Sequence, residues 1–424
     1  MDERRAILEE MYAAAVEAAA PGAAVEAALD RLDVGGRVRV IAIGKAADGM
    51  AGAAERWIRR SGRELAGGIV VGSADPGRAA PGSLARVAGN HPRPGEASVE
   101  AARLIGEAVA LVHPDDSVLV LLSGGASSLA GAPVAGLSPD DLARLNDLLL
   151  GSGLDIAGIN GVRKRFSRWG AGRLARALSP ARVHCLMLSD VPGDDPAVIG
   201  SGPCSADPLR AADVRSILQR AGIWDSVPPA ARRLLHSAEH GGTEETPKPG
   251  SPDLAGVELL VIGNSESALA GAAARGRALG LSPEVMPGSL RGEAAEAGRE
   301  LGRRLVAGSG GGCIIMGGET VVTLGGAPGT GGRCQELALA AAEVIAGSPT
   351  AALLAAGSDG RDGPTDAAGA VVSGASWAGI ISAGRSPAQD LARHDAFPAL
   401  ASIGALLPAR ATGTNVADVV IALT

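Results

Sequence analysis

Short runs of Val, Ile and Leu alternate with longer Ala-rich amphipathic segments along most of the chain, and this alternation constrains the fold more than any other feature. Runs such as VIAIG at 40–44 and VLVLL at 118–122 hold no charged residue. Such continuous apolar runs are typical of strands buried on both faces of a mostly parallel sheet, and the amphipathic segments fit the helical crossovers. The sequence therefore predicts an α/β fold.

The same periodicity predicts the individual elements. The predicted strands are 38–44, 67–72, 84–88, 117–122, 183–188, 257–262, 312–316, 320–324, 351–356 and 417–423. The predicted helices are 2–20, 47–60, 96–111, 139–150, 162–177, 208–221, 228–238, 264–279, 290–306 and 334–346.

A chain of 424 residues is too long for one comfortable hydrophobic core, which predicts two domains and a cleft where they meet. The segment 238–256, AEHGGTEETPKPGSPDLAG, loses the apolar periodicity and reads as a linker. We therefore predict an N-terminal domain over 1–245 and a smaller C-terminal α/β domain over 246–424. The sequence leaves open which sheet takes the last strand.

Charge and composition exclude several classes of partner. The formal net charge is −7 and aromatic residues make up 2% of the chain, so neither nucleic acid nor an anionic membrane finds a complementary surface. The N-terminus reads as an amphipathic helix and not a signal peptide, and the four cysteines are scattered. We expect a cytoplasmic protein that binds small molecules. A homo-oligomer is compatible with the sequence, which does not decide the oligomeric state.

Glycine, serine or asparagine follows several predicted strands directly, where helix N-termini offer unpaired N–H groups to an anion. Lys45 lies in one such turn, and Asn264 follows another. The best candidate for an anion-binding loop is the segment after 117–122, whose candidate ligands are Ser123, Gly124, Gly125, Ser127 and Ser128. The alternatives are a tight turn without a ligand and a solvated lysine.

A second candidate is the glycine-rich loop 325–335, GGAPGTGGRCQ, which brings Arg333 to a predicted helix start. We expect its glycines to give a flexible backbone and its arginine to bind phosphate oxygens in a bidentate manner. A linker without function is the alternative.

Acidic residues also follow predicted strands, and carboxylates at strand ends suit Mg²⁺ bound to a nucleotide. Asp190 and Glu319 are the strongest candidates, because Asx turns explain Asp195 and Asp362 adequately. The sequence holds neither G-x-x-x-x-G-K-[ST] nor G-x-G-x-x-G, which excludes a P-loop enzyme and weakens a nicotinamide-dependent reductase.

Taken together, these motifs resemble the class II glycerate kinases, which carry a C-terminal MOFRL-type domain. The segments that carry the resemblance are 43–47, 89–98, 122–128, 159–164, 189–195, 199–203, 261–265, 317–320, 331–338 and 358–370. The resemblance implies a Rossmann-like N-terminal domain, an active-site cleft between the two domains, and Mg²⁺-dependent transfer of phosphate from ATP to D-glycerate, giving 2-phosphoglycerate. Cys334 departs from the family, which usually has Asn there.

The resemblance also ties Lys45 and Arg333 most directly to catalysis. We expect glycerate to lie near 123–128, and Asp190 and Glu319 to share two roles, accepting the hydroxyl proton and holding Mg²⁺. Lys164 and Asn264 are further candidate ligands. Because family members have often been labelled hydroxypyruvate reductases, an NAD(P)H-dependent reductase stays an alternative, as does a non-catalytic regulator that binds sugar phosphates.

Overall fold

The computed structural model describes residues 2–73, 84–308, 312–326 and 328–424. The strands are β1 (Arg37–Ile43), β2 (Glu64–Gly72), β3 (Ala85–Ala88), β4 (Ser117–Leu122), β5 (Arg182–Leu188), β6 (Val257–Gly263), β7 (Ser282–Leu290), β8 (Gly312–Gly318), β9 (Ala352–Gly357), β10 (Ala367–Ser373), β11 (Leu406–Pro408) and β12 (Asp418–Leu423).

The helices lie before, between and beside the strands along the chain. They are α1 (Asp2–Ala18), α2 (Pro21–Leu29), α3 (Ala47–Arg60), α4 (Glu96–Ala110), α5 (Ala126–Leu129), α6 (Pro139–Leu150), α7 (Ile156–Phe166), α8 (Arg173–Leu178), α9 (Ala211–Arg220), α10 (Pro229–Glu239), α11 (Ser265–Ala278), α12 (Ala294–Ala307), α13 (Arg333–Val344), α14 (Ser376–Ser382), α15 (Pro387–Ala392) and α16 (Ala396–Ala401). Among the described residues, no helix is both long enough and apolar enough to span a membrane.

The chain forms two compact units, which differ from the predicted domains. The N-terminal unit is Pro21–Ile262, and the C-terminal unit combines Met1–Ala20 with Gly263–Thr424. The predicted boundary after residue 245 falls too early, because β6 still neighbours β5 in the first sheet. Helix α1 joins the C-terminal unit because Leu8 and Met11 are fully buried in a cluster with side chains of the second sheet.

The N-terminal unit is built on a six-stranded sheet of order β3-β2-β1-β4-β5-β6, which is the strand order of the Rossmann fold. The pairs from β3 through β5 are parallel, as predicted. Apolar clusters cover both faces of this sheet, which explains why β4 is buried at every position. The predicted helix 162–177 divides into α7 and α8.

The C-terminal unit holds a six-stranded sheet of order β11-β10-β9-β12-β8-β7. Only the β7–β8 pair is parallel, and the other pairs are antiparallel, so the mostly parallel pattern holds for the first sheet alone. The last strand, β12, lies between β8 and β9 at the centre of this sheet. The predicted strand 320–324 is wrong, because it forms only a single bridge from Val321 to Glu293.

Candidate functional site

The order of the first sheet changes direction between β1 and β4, and ligands of such sheets bind outside the carboxyl ends of the strands at this point. The turns that follow these two strands are hydrogen-bonded to each other. Lys45 N donates to Gly124 O over 3.0 Å, and Ser123 N donates to Ile43 O over 3.1 Å. The predicted lysine turn and the predicted anion-binding loop are therefore brought together.

Gly44 allows this close approach. Its φ of +136° lies in a region that side chains disfavour, and a Cβ there would be 2.1 Å from Ser123 Oγ. The Ser123 hydroxyl is fully buried and accepts a hydrogen bond from Ala46 N at 3.0 Å. Ser123 therefore fixes the lysine turn, which gives it a positioning role in addition to its place in the loop.

The loop presents backbone donors. Gly125, with a φ of +86°, precedes the single-turn helix α5. The N–H groups of Gly124, Gly125 and Ser127 make no hydrogen bond to any residue that the structure describes. Ser127 Oγ lies 2.8 Å from Ser201 Oγ, so a loop that follows β5 supports the helix. Unpaired N–H groups at the first turn of a helix attract anions.

His91 is a residue that the motif analysis did not single out. The ideal Cβ position at Gly125 is 3.2 Å from His91 Cδ2 and 3.4 Å from Lys45 Cγ. The imidazole and the lysine side chain thus flank the same glycine. The signal was available in the sequence, since His91 lies in the quoted segment 89–98, but its proximity to Lys45 depends on how the loop after β3 folds back.

Asp190 follows β5, the neighbour of β4, and its side chain is half-buried. The nearby Asp195 forms the expected Asx turn, accepting from Ala197 N at 2.9 Å. The strand order places Asp190 one strand away from the anion-binding loop, on the side away from β1.

Lys164 has a structural partner. Its ammonium nitrogen lies 3.1 Å from Asp207 Oδ1, and the Asp207 side chain is fully buried. Asp207 Oδ2 also accepts from Thr246 Oγ1 at 2.9 Å. The contact with Asp207 is a sufficient structural reason for a lysine at this position of α7, even if it binds no ligand. Lys164 therefore ranks behind Lys45 as a candidate for binding the substrate.

In the C-terminal unit, Arg333 begins α13 as predicted and lies between two carboxylates. Its Nε and Nη2 donate to the two oxygens of Asp418 over 2.6 and 2.9 Å. Its Nη1 lies 2.6 Å from Glu319 Oε1, which brings two predicted site residues together. Burial alone would lower the pKa of Arg333, but the hydrogen bonds to Asp418 raise it, so the guanidinium stays cationic. Asp418 is the second residue that sequence analysis missed.

The glycine-rich loop before Arg333 is explained by close packing. Residue 327 of this loop lies outside the described residues. A Cβ on Gly332 would be 2.3 Å from the carboxyl carbon of Asp362, and one on Gly329 would be 2.4 Å from Asp395 Cβ. Glycine is required at these two positions because a larger side chain would overlap Asp362 or Asp395. We had expected the glycines to serve backbone flexibility instead.

Asp362 does not form the Asx turn that the sequence predicted. Its carboxylate accepts from the backbone N–H groups of Cys334 and Gln335 at 3.1 and 2.8 Å, so it caps α13. Burial raises the pKa of Asp362 to about 6, against the opposing effect of the Gln335 N–H group. Burial, followed by the charges of Asp418 and Asp362, raises the pKa of the Cys334 thiol, which stays protonated.

Asn264 caps α11, where its Oδ1 accepts from Ser267 N at 3.1 Å. A Cβ on Gly317 would be 2.3 Å from Ser265 Oγ, so the start of α11 lies against the end of β8. Asn264, which directly precedes α11, therefore lies near the end of β8, and Glu319 follows the same strand.

Neither predicted metal ligand belongs to a cluster of metal-ligating side chains among the described residues. Within the described ranges, one group of three side chains has the spacing to hold a metal ion, namely His236, Glu239 and His240. Asp190 and Glu319 are not part of such a group. Mg²⁺ commonly takes one or two carboxylates and completes its shell with phosphates and waters.

At the switch point of the Rossmann-type sheet lie Lys45 and N–H groups that have no partner among the described residues. Together with a second α/β unit in the same chain, this sheet defines the class of two-domain α/β enzymes. Residues 7–236 match the family described as Domain of unknown function (DUF4147), and residues 312–418 match the MOFRL family. The chain belongs to the glycerate 2-kinase family, as the motifs indicated.

Individual relatives cover nearly the whole chain. The D-glycerate 2-kinase of Thermotoga maritima is 37% identical, over 98% of this chain and 97% of its own length. An Agrobacterium vitis protein with the provisional name hydroxypyruvate reductase is 38% identical, over 98% of this chain and 93% of its own. The crystal structure of glycerate kinase from Thermotoga maritima superposes with a TM-score of 0.86 at 36% identity and covers 100% of both chains.

Proposed function

We propose that this enzyme transfers the γ-phosphoryl group of ATP to the C2 hydroxyl of D-glycerate, giving 2-phospho-D-glycerate and ADP. Membership of the glycerate 2-kinase family along the full length supports this proposal. The observation that carries it is the pairing of the Lys45 turn with a loop in which the N–H groups of Gly124, Gly125 and Ser127 have no partner among the described residues. Both substrates are anions, and this arrangement offers them a cation beside backbone donors.

We assign the residues to roles on this basis. Backbone N–H groups of Gly124, Gly125 and Ser127 hold an anionic group of glycerate or of ATP, and Lys45 neutralises charge on the transferring phosphoryl group. In the C-terminal unit, Arg333 supplies a second cation to the same reaction. Phosphoryl transfer needs little covalent chemistry from a protein, so positioning and charge neutralisation supply most of the catalysis.

The acidic residues carry the remaining roles. We propose that Asp190 and Glu319 divide between them the acceptance of the hydroxyl proton and the binding of Mg²⁺. Both offer carboxylate oxygens after a strand end, which is the donor type that Mg²⁺ prefers. When bound, Mg²⁺ would offset negative charge on the phosphates of ATP. Asn264 and Lys164 are ligands of lower rank, since each already has a structural partner.

The reductase alternative has less support. Gly44 is the one glycine in the turn that joins β1 to α3. A dinucleotide fingerprint needs further glycines there, because they let the pyrophosphate approach the backbone. The reductase name among the relatives is provisional. A non-catalytic regulator would use the same anion-binding loop but would form no product.

Two parallel incubations separate the three functions. The protein is mixed with D-glycerate, ATP and Mg²⁺, and the products are identified by ³¹P NMR, which distinguishes 2-phosphoglycerate from 3-phosphoglycerate. A parallel sample holds hydroxypyruvate with NADH and NADPH. We expect 2-phosphoglycerate in the first sample and no loss of absorbance at the nicotinamide band in the second. Nucleotide oxidation without phosphoglycerate would establish the reductase, and no product in either sample would leave the regulator.

Removal of Mg²⁺ gives a further prediction. Excess EDTA should abolish phosphoglycerate formation and added Mg²⁺ should restore it, because Mg²⁺ takes part through ATP. The circular dichroism spectrum should not change, since the two predicted metal ligands belong to no cluster in the described residues that would hold a structural ion. Full turnover in excess chelator would contradict the Mg²⁺ assignment.

A further inference from the structure

Asp418 occupies a constrained place in the C-terminal unit. It is the first residue of β12, where it is paired with Gly318 at the end of β8 and with Gly357 at the end of β9. Its side chain is only 5% exposed. Because two neighbouring strands hold its backbone, the position of this carboxylate is set by the sheet and not by a loop.

The contact between Asp418 and Arg333 is directional. The two carboxylate oxygens accept from Nε and Nη2, which form one edge of the planar guanidinium. A side-on, two-point contact fixes both the location and the tilt of the plane, which a single ion pair does not. The Arg333 side chain remains 35% exposed, and its Nη1 contacts Glu319, whose side chain is 50% exposed. The Nε and Nη2 edge of the guanidinium thus anchors Arg333 to Asp418. The Nη1 side, which contacts Glu319, is the more exposed side and the one that a ligand can approach.

We propose that Asp418 is the positioning residue for Arg333: it anchors the guanidinium side-on so that the edge away from the sheet meets the phosphoryl oxygens. This inference rests on the function proposed above, because it assumes that Arg333 contributes to phosphoryl transfer. Glu319 then contacts the ligand-facing part of the same guanidinium, and an incoming phosphate competes with it for Nη1.

The first variant is Asp418→Asn, which keeps the shape of the side chain. An amide offers one acceptor oxygen, and its NH₂ group opposes an N–H of Arg333, so the guanidinium has to tilt. A displacement of this kind far from the reacting bond costs about 100-fold in rate. We expect kcat to fall about 100-fold while KM for D-glycerate changes about 3-fold or less, because the loss is in orientation at the phosphoryl group.

Asp390→Asn is the matched control. Asp390 is also buried, belongs to the same unit, and accepts from Nε and Nη2 of Arg385 at 3.1 and 2.8 Å. Losing this side-on pair should lower the melting temperature about as much as Asp418→Asn does, with kcat unchanged. If both variants lost turnover equally, the effect would be one of general stability and the positioning role of Asp418 would be refuted.

A double-mutant cycle tests whether Asp418 acts through Arg333. Arg333→Lys removes the planar partner, so adding Asp418→Asn to it should lower kcat by about 3-fold or less, against about 100-fold in the wild-type background. A full 100-fold loss in both backgrounds would mean that Asp418 acts on its own. Wild-type turnover in Asp418→Asn alone would also overturn the proposal.

A second readout does not depend on kinase activity. Phenylglyoxal modifies accessible arginines, and the rate of labelling at Arg333 is followed by peptide mass spectrometry in the full-length protein. We expect faster labelling in Asp418→Asn than in wild type, and no change at Arg333 in Asp390→Asn. If wild type made no phosphoglycerate but this difference appeared, the proposed function would fail while the anchoring of Arg333 stood. Equal labelling rates would overturn the anchoring itself.

Discussion

Replacing Gly44 with alanine is the most direct test of how the N-terminal unit builds its site. The added Cβ would lie 2.1 Å from Ser123 Oγ and 2.6 Å from Ser123 O, at a φ of +136°. Ser123 cannot simply move away, because it is fully buried and its hydroxyl accepts from Ala46 N at 3.0 Å. The two turns must therefore separate.

The expected loss of stability has two parts. Holding a residue with a Cβ at a positive φ costs about 1–2 kcal/mol. Overpacking against a fixed neighbour adds about 1–3 kcal/mol. The free energy of unfolding of Gly44→Ala should therefore fall by roughly 2–5 kcal/mol. Turnover at a temperature where the variant is folded should also fall, because separation of the turns breaks the hydrogen bond from Lys45 N to Gly124 O.

Two other glycines provide controls in the same unit. Gly153 has a φ of +72° and no heavy atom within 4 Å of an added Cβ, so Gly153→Ala measures backbone strain alone. Gly68 has a φ of +150°, and its Cβ would be 1.9 Å from Val40 O, so Gly68→Ala combines strain and overlap between β1 and β2. Urea unfolding gives the stabilities, and steady-state kinetics gives kcat.

The pattern across the three variants decides the matter. We expect Gly153→Ala to lose about 1 kcal/mol, and the other two to lose several times more. Only Gly44→Ala should lose kcat beyond what its folded fraction explains. If Gly44→Ala were as stable as Gly153→Ala, the close approach to Ser123 would be wrong. If it were destabilised but kept full turnover, the joining of the two turns would not matter for catalysis.

Three further predictions concern single side chains. Lys45→Met should lower kcat by several powers of ten with an unchanged circular dichroism spectrum, since losing a cation at the transition state costs about 3–4 kcal/mol; near-normal turnover would refute its role. Arg333→Lys should lower kcat almost as much as Arg333→Ala, because lysine cannot make the side-on contact with Asp418; most of the wild-type kcat in the lysine variant would contradict this. The third prediction follows from the pKa of Asp362, which is raised from 3.8 to about 6 in the folded state. Between pH 3.8 and about 6, the carboxyl group of Asp362 is protonated in the folded protein and ionised in the unfolded chain. The free energy of unfolding therefore rises as the pH falls from above 6 to about 4, by roughly 3 kcal/mol in total. Asp362→Asn should remove that contribution, which urea unfolding at several pH values measures as a difference from wild type, and parallel curves for the two proteins would refute the shift.

Part of this site follows from the sequence alone. Strand β4 and residues 40–43 of β1 were predictable because strands buried on both faces are typically continuous apolar runs. The turns after them were recognisable because a close approach of two turns selects glycine and small hydroxyl residues, as at Gly44 and Ser123. In a parallel sheet the carboxyl ends of neighbouring strands meet at one edge, so Lys45 and the anion-binding loop had to lie near each other once β1 and β4 paired.

The tertiary structure decided the rest, because the contacts concerned join distant parts of the chain. Asp418 lies 85 residues from Arg333, and it becomes the anchor only because β12 inserts between β8 and β9. Helix α1 packs on the second sheet because Leu8 and Met11 find their apolar partners there. The periodicity of a segment records that one face is buried, but not which surface buries it. In the same way, Gly332 reads as a flexible residue in the sequence, while the carboxylate of Asp362, 30 residues later, is what requires it.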